Sequence, residues 1–156
     1  MSMAGEIKTL NKSAFHLLRR ANQFAADLYA DEVGDSDLTH RQFTVLLTIS
    51  QHEGLSQTAL VARTGIDRST LADLVARLLK KGLIQRRRTR EDARANTIRL
   101  SAAGRRALVA TQPAAASVDK RLLGLLSVAQ RREFLAALNA ISDALDDRGA
   151  EPSNGK

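Results

Sequence analysis

Apolar residues recur at helical spacing at the start of the chain. They predict a first helix over about Leu10–Ala30, followed by an acidic loop over residues 31–37. Thr39 then has the character of a helix N-cap, and Gln42 three residues later would complete a capping box. The apolar residues that follow predict a second helix ending near Gly54.

The next segment predicts a helix-turn-helix. Ser56 is an N-cap candidate for a short third helix, which Gly65 would end. Asp67 can cap a fourth helix that stops at Gly82. One face of this fourth helix should pack on a core, because its apolar residues keep a helical i, i+3, i+4 pattern. These residues are Leu71, Leu74, Val75, Leu78 and Leu79.

Two short runs after the fourth helix predict a β-hairpin. The strands are Leu83–Arg88 and Thr97–Leu100, and the polar segment 89–96 forms the tip. In the second strand, alternation turns Ile98 inward and Arg99 outward.

Two further helices close the chain. Ser101 caps a long one, in which Pro113 would produce a kink, and Ser127 starts the last. One small central module cannot cover the apolar residues of the first helix and of both closing helices. We therefore expect these helices to pack against a second copy, giving a homodimer. The tail after Asp147 lacks an apolar pattern and is expected to be disordered.

These elements predict a mainly α fold with a small β-hairpin wing, that is, a winged helix-turn-helix joined to a helical dimerisation region. Residues 1–37 hold the N-terminal dimerisation helix and loop, and residues 38–101 the winged module. Residues 102–147 hold the C-terminal dimerisation helices, and residues 148–156 the disordered tail.

The positive charge of the chain is concentrated in its centre. The formal net charge is +7, and residues 56–94 carry ten Lys and Arg against four Asp and Glu, which accounts for +6 of it. A basic excess confined to a quarter of the chain is typical of a surface that binds a polyanion, most simply duplex DNA.

Composition excludes several other kinds of site. The chain has no cysteine, which rules out disulfides, zinc–thiolate sites and thiol redox switches. Three well-separated histidines disfavour a transition-metal sensor, and no metal or other cofactor is expected. No glycine-rich nucleotide motif, nucleophile elbow or metal-hydrolase motif is present, so we do not expect an enzyme. The absence of a secretory signal and of a long apolar run favours a cytoplasmic protein.

In combination, the motifs resemble the MarR family of bacterial transcription regulators. The resemblance covers about Leu38–Leu108 and is carried by LTHRQFTVL from 38, LSQTAL from 55, LLKKGLI from 78, Asp92-Ala93-Arg94, and IRLSAAG from 98. It implies a homodimer joined through its terminal helices, with paired winged modules on a palindromic operator. It also implies that a small aromatic acid lowers the affinity for DNA, as in many members of the family.

Two runs resemble one subgroup of that family more closely. They are GIDRSTLAD from 65 and RRRTREDAR from 86, which are similar to members that control hydroxycinnamate degradation. This resemblance implies an aromatic acyl-CoA thioester as the effector.

The exposed side of the fourth helix supplies the candidate base contacts. Because helix-turn-helix proteins read bases with the first turns of this helix, Arg68, Ser69, Thr70 and Asp73 are candidates. Arg68 can bridge guanine O6 and N7, whereas Asp73 either accepts from cytosine N4 or orients a neighbouring arginine. In the alternative interpretation, the two hydroxyl residues are only first-turn caps and Arg68 is a solvated charge.

Other arginines are candidates for backbone contacts. Arg63 and Arg77 lie where they can hold phosphates. Alternation puts Arg86 and Arg88 on one face of the first wing strand and Arg87 on the other, so the three cannot all reach DNA. We take Arg88 as the candidate among them.

The wing tip carries a candidate minor-groove contact. Resemblance to the family assigns Arg90 and Arg94 to DNA, since narrow A·T-rich minor grooves attract such charges. Asp92 lies two residues before Arg94 and is predicted to brace the wing through an ion pair.

The first helix carries a candidate effector site. Lys12, His16, Arg19 and Gln23 share one side, which is either a hydrogen-bonding wall for an acidic effector or simply a solvated face. The candidate ligand-binding residues are His16, Arg19, Arg20, Phe24 and Arg41.

We therefore expect a homodimeric, ligand-responsive repressor that binds a palindromic operator in double-stranded DNA. A small aromatic acid or its CoA thioester would release it. The alternatives are an effector-independent architectural DNA-binding protein, whose affinity no such acid changes, and a protein–protein adaptor, which would not bind duplex DNA sequence-selectively.

Overall fold

The computed structural model describes residues 9–35, 38–88 and 96–150. Residues 149 and 150 are described by their backbone alone. This part of the chain contains six α-helices and one two-stranded antiparallel sheet. The elements are α1 (Ala14–Val33), α2 (His40–Gln51), α3 (Gln57–Thr64), α4 (Arg68–Lys80), β1 (Ile84–Arg88), β2 (Asn96–Leu100), α5 (Ala102–Leu123) and α6 (Val128–Ala150). The fold is mainly α with a β-hairpin wing, which confirms the predicted class.

Side-chain caps start the helices of the central module where the sequence predicts them. Thr39 Oγ1 accepts from the Gln42 N–H at 3.2 Å, and Gln42 Oε1 accepts from the Thr39 N–H at 3.1 Å. Ser56 Oγ accepts from the Ala59 N–H at 3.1 Å. The third helix ends at Gly65, whose φ of 68° lies in the left-handed region that favours glycine. Local hydrogen bonds therefore fix these boundaries.

The first and last helices differ from their predicted bounds. Leu10–Lys12 form a short 3-10 turn, and α1 begins only after Ser13, whose Oγ accepts from the His16 N–H at 3.3 Å. Helix α1 continues to Val33, so the first part of the predicted loop is helical. At the other end, α6 reaches Ala150, three residues into the predicted tail. Residues 151–156 lie outside the described residues.

The wing pairs β1 with β2 in antiparallel register. Ile84 lies opposite Leu100, and Arg86 lies opposite Ile98. The Ile98 N–H also donates to Leu55 O at 2.8 Å, which adds a single bridge from the segment between α2 and α3. This bridge ties the wing to the helix-turn-helix, and no periodic pattern in the sequence predicts it.

One apolar core holds the winged module together. It takes buried side chains from α2, α3, α4, both strands and α5. Leu46, Ile49, Leu60 and Leu71 are fully buried in it. A second, smaller cluster joins α1 to α5 through Leu28, Tyr29 and Val118.

A tight joint connects the end of α4 to the start of α5. Ser101 Oγ donates to Gly82 O at 2.6 Å and accepts from the Gly104 N–H at 3.0 Å. A Cβ on Gly104 would lie 1.9 Å from Leu83 O, so only glycine permits this approach. Helix α5 continues past Pro113 to Leu123 and packs against α1.

Candidate nucleic-acid interface

Helix α4 presents a polar face to solvent because its apolar face is buried. Leu71, Leu74, Val75 and Leu78 are buried, whereas Arg68, Ser69, Asp73 and Arg77 are exposed and Thr70 is half-buried. All the candidate DNA contacts that the sequence predicts on this helix are therefore exposed, except Thr70. Its first turns therefore face outward, as base reading requires.

Asp67 holds the start of α4 with both carboxylate oxygens. The Thr70 N–H donates to Oδ1 at 2.9 Å and the Thr70 hydroxyl donates to Oδ2 at 2.7 Å. These two hydrogen bonds, the backbone one first, lower the pKa of the Asp67 carboxyl below its usual 3.8. Because the Thr70 hydroxyl already donates its hydrogen bond to Asp67, it can only accept a hydrogen bond from a base.

An ion pair lies on the outer face of α4. Arg77 Nε is 3.0 Å from Asp73 Oδ2, and the two side chains are 66% and 63% exposed. Of the two roles considered for Asp73, this geometry matches the orientation of a neighbouring arginine.

Two further arginines are held by side chains far away in the sequence. Arg63 Nη1 lies 3.2 Å from His52 Nε2, where the guanidinium can only donate and the ring nitrogen accepts. Arg86 Nη2 donates to Gln57 Oε1 of α3 at 3.3 Å. Sequence reasoning missed both His52 and Gln57 as partners, since their spacings of 11 and 29 residues match no local pattern.

The wing strand divides its arginines between two faces, as predicted. Arg86 and Arg88 share the face of buried Ile84, and Arg87 lies on the other face; all three arginines are exposed. Arg90, Asp92 and Arg94 lie outside the described residues, so their roles stay predictions.

The chain matches known proteins over most of its length. A sequence profile of the MarR family matches residues 36–95. The transcriptional regulator HosA of Escherichia coli O157:H7 is 34% identical over 127 residues, which cover 81% of this chain and 93% of HosA.

The chain belongs to the MarR family of transcriptional regulators.

Solved structures of regulators share the fold. PcaV from Streptomyces coelicolor in complex with its natural ligand is 30% identical, with a TM-score of 0.82 over 91% of this chain and 99% of PcaV. Bordetella bronchiseptica BpsR, whose DNA binding is regulated by 6-hydroxynicotinic acid, is 28% identical, with a TM-score of 0.82 over 86% of this chain and 96% of BpsR. As a member of the MarR family, this chain is a transcriptional regulator.

An apolar cavity is lined by residues of α1, α5 and α6. Its volume is about 390 Å³. Asn22 is the one polar residue among those that line it, and none of the five predicted ligand residues takes part. The lining residues are Ala14, Leu17, Leu18, Ala21, Asn22, Ala25, Leu122, Phe134 and Leu138.

Four of the five predicted effector residues lie on exposed surface of this MarR-family chain. His16 is half-buried, and Arg19, Arg20, Phe24 and Arg41 are exposed. Near the start of α2, the Tyr29 hydroxyl donates to Leu38 O at 2.8 Å, and burial raises the pKa of Tyr29. His40 packs edge-on against the Tyr29 ring, with 5.2 Å between ring centroids.

The described residues contain neither a membrane-spanning helix nor a metal-binding cluster. No helix there combines the length and apolar character that a membrane span requires. Within the same ranges, no cluster of His, Asp and Glu is grouped to hold a metal ion.

Proposed function

We propose that this MarR-family chain is a homodimeric, ligand-responsive repressor that binds a palindromic operator. A small aromatic acid or its CoA thioester releases it from DNA. The same proposal includes a cytoplasmic location, because the chromosome lies there. It also includes the division of the chain into residues 1–37, 38–101 and 102–147.

The outward face of α4 is the observation that carries the proposal. Asp67 caps the helix and the core anchors it, so Arg68 and Ser69 project from a fixed frame. In this proposal these two side chains and Thr70 contact base edges in the major groove. Arg63, held by His52, contacts a phosphate beside them.

The wing supplies the second group of proposed contacts. Arg88 lies at the exposed end of β1, where the chain leaves the strand for the tip. Arg90 and Arg94 then enter the minor groove, and Asp92 restrains Arg94. Such contacts favour A·T-rich flanks, whose narrow grooves concentrate negative potential.

Exposed apolar residues on the terminal helices support the dimer. Phe15 of α1 is 73% exposed and Val128 of α6 is 76% exposed. The apolar cavity between α1 and α6 adds a concave surface to the same region. Large exposed apolar surfaces of this kind mark association sites, and a second copy offers a complementary one because it carries the same helices.

Two observations favour an acidic aromatic effector: the ligand of BpsR, and the side chains of α1 and of the start of α2. BpsR responds to 6-hydroxynicotinic acid, an aromatic acid. Arg19, Arg20 and Arg41 can pair with a carboxylate or a CoA phosphate, and Phe24 can stack on a ring. His16 completes the set proposed to bind the effector.

Selection from a random duplex library tests the function. The full-length protein is expected to enrich a palindromic sequence, and aromatic acids and their CoA thioesters are then titrated into the complex. If about five to eight phosphates are contacted per dimer, affinity falls by orders of magnitude from low to moderate salt. Binding that no such compound changes supports the architectural alternative, and a lack of any selected duplex refutes DNA recognition.

Matched variants separate the two proposed sites. Arg68→Ala is expected to weaken operator binding, whereas Arg132→Ala removes another exposed charge, on α6, and leaves operator binding unchanged. Arg19→Ala is expected to keep operator affinity but raise the effector concentration needed for release. If Arg19→Ala responds like the unaltered protein, the effector site lies elsewhere.

A further inference from the structure

Asp73 is an unusual residue for the surface on which it lies. Helix α4 contains no other acid, and its exposed face looks toward the proposed DNA. A carboxylate on such a face repels phosphates, which supply much of the affinity for DNA. The ion pair of Asp73 with Arg77 stabilises the helix little, because exposed i, i+4 pairs are screened by solvent.

The ion pair between Asp73 and Arg77 uses the inner nitrogen of the guanidinium. Oδ2 of the carboxylate meets Nε, 3.0 Å away. Nη1 and Nη2 carry the other N–H donors of this planar group, and such a fork can match O6 and N7 of guanine. Because the carboxylate restricts the orientations of the guanidinium, less rotamer freedom is lost when the base is bound.

A base edge suits this pair better than a phosphate does. Oδ1 of Asp73 can accept from an amino group such as cytosine N4, whereas beside a phosphate it would meet only negative oxygens. The exposed neighbours Ala72 and Ala76 are small and allow α4 to approach the groove closely.

We infer that Asp73 and Arg77 act as one unit that reads a guanine of the operator in the major groove. Arg77 contacts the base, and Asp73 both positions the guanidinium and penalises binding where no base amino group faces it. Arg77 is thereby a specificity-determining residue rather than a phosphate contact. The inference rests on the proposed function and names the base class that this part of the site reads.

The test measures base preference rather than affinity alone. The full-length protein and the variants R77A, D73A and K80A are titrated against the selected operator and against duplexes with each guanine replaced in turn. Lys80 lies on the same face of α4 and serves as the charge-matched control. All three substitutions are at exposed positions, and thermal unfolding confirms that each variant folds.

We expect one guanine in each half-site whose replacement weakens binding by the unaltered protein about 5- to 150-fold. R77A should reduce this ratio to near one, and K80A should leave it unchanged. D73A should lower the same ratio while strengthening binding to unrelated duplexes.

Two outcomes would overturn the inference. Equal loss by R77A on all duplexes would make Arg77 a phosphate contact, and full guanine discrimination in D73A would show that the pair does not act as a unit. Either result leaves operator binding by the unaltered protein intact, so it is distinguishable from a failure of the proposed function, in which no duplex is selected.

Discussion

The winged module and the terminal helices cover their apolar side chains differently. In the module, Leu46, Ile49 and Leu71 are fully buried by elements of the same chain. In the terminal helices, Phe15 and Val128 remain largely exposed. The winged module therefore buries its own core, and burial of apolar surface is the main favourable term in folding. The terminal helices leave apolar side chains uncovered, and in the proposed dimer a second copy covers them.

The largest effect is expected from the removal of α6. A chain ending at Leu123 is expected to lose dimers completely, because it lacks a large part of the exposed apolar surface, while the winged module keeps its helices. Sedimentation velocity measures the association state, and circular dichroism measures the helices. A stable dimer of the shortened chain would contradict the role proposed for α6.

The next largest effect is expected within the closed core. Leu46→Ala should lower the free energy of unfolding by about 2–5 kcal/mol, because it leaves a cavity in a fully buried site. The matched change Leu10→Ala alters a side chain that is 63% exposed in the single chain and, at protein concentrations too low for dimers, should cost less than about 0.5 kcal/mol. Urea unfolding of both variants compares them, and similar costs would mean that the two regions do not differ as described.

Two serine caps give a smaller contrast. Ser101→Ala removes a cap and the hydrogen bond to Gly82 O, and should cost about 1–2 kcal/mol. Ser127→Ala removes an exposed cap of α6 and should cost about half as much or less. Chemical unfolding measures both values. Equal costs would show that the joint between α4 and α5 adds nothing to a simple cap.

The smallest predicted effect is a pH dependence at the start of α4. The folded pKa of Asp67 is lowered, so its contribution to stability is present above the unfolded value of about 3.8 and is lost as the pH falls through the folded value. Asp67→Asn should therefore be less stable than the unaltered protein at neutral pH, with the difference shrinking in acid.

An NMR titration checks the cause of that shift. Thr70→Val removes the hydroxyl that donates to Oδ2. The pKa of Asp67 should then rise toward 3.8 but not reach it, because the backbone donor remains. An unchanged pKa in this variant would exclude the hydroxyl as a cause.

Much of the fold could be predicted because its signals are local. The caps at Thr39, Ser56, Asp67 and Ser101 each join groups three residues apart, and each lies where the sequence places it. Ser13 was overlooked as a cap because apolar periodicity runs across it, which made the predicted first helix start too early.

The candidate site was only partly predictable. The exposed side of α4 follows from its apolar period, and the pair of Asp73 and Arg77 lies within one helical turn. The partners of Arg63 and Arg86 come from α2 and α3, and nothing in the neighbouring sequence indicates them. Roles assigned to Arg90, Asp92 and Arg94 stay predictions.

The sequence by itself determined the order of the elements, the caps and the buried face of each module helix, because hydrogen bonds and side-chain periodicity over three or four residues encode them. Only the tertiary structure decided which arginines are held in place and which apolar faces remain open. It also gave the reason for Gly104, where α5 approaches Leu83 too closely for any side chain. These features depend on distances between segments that are far apart in the chain, and such distances exist only once the core has formed.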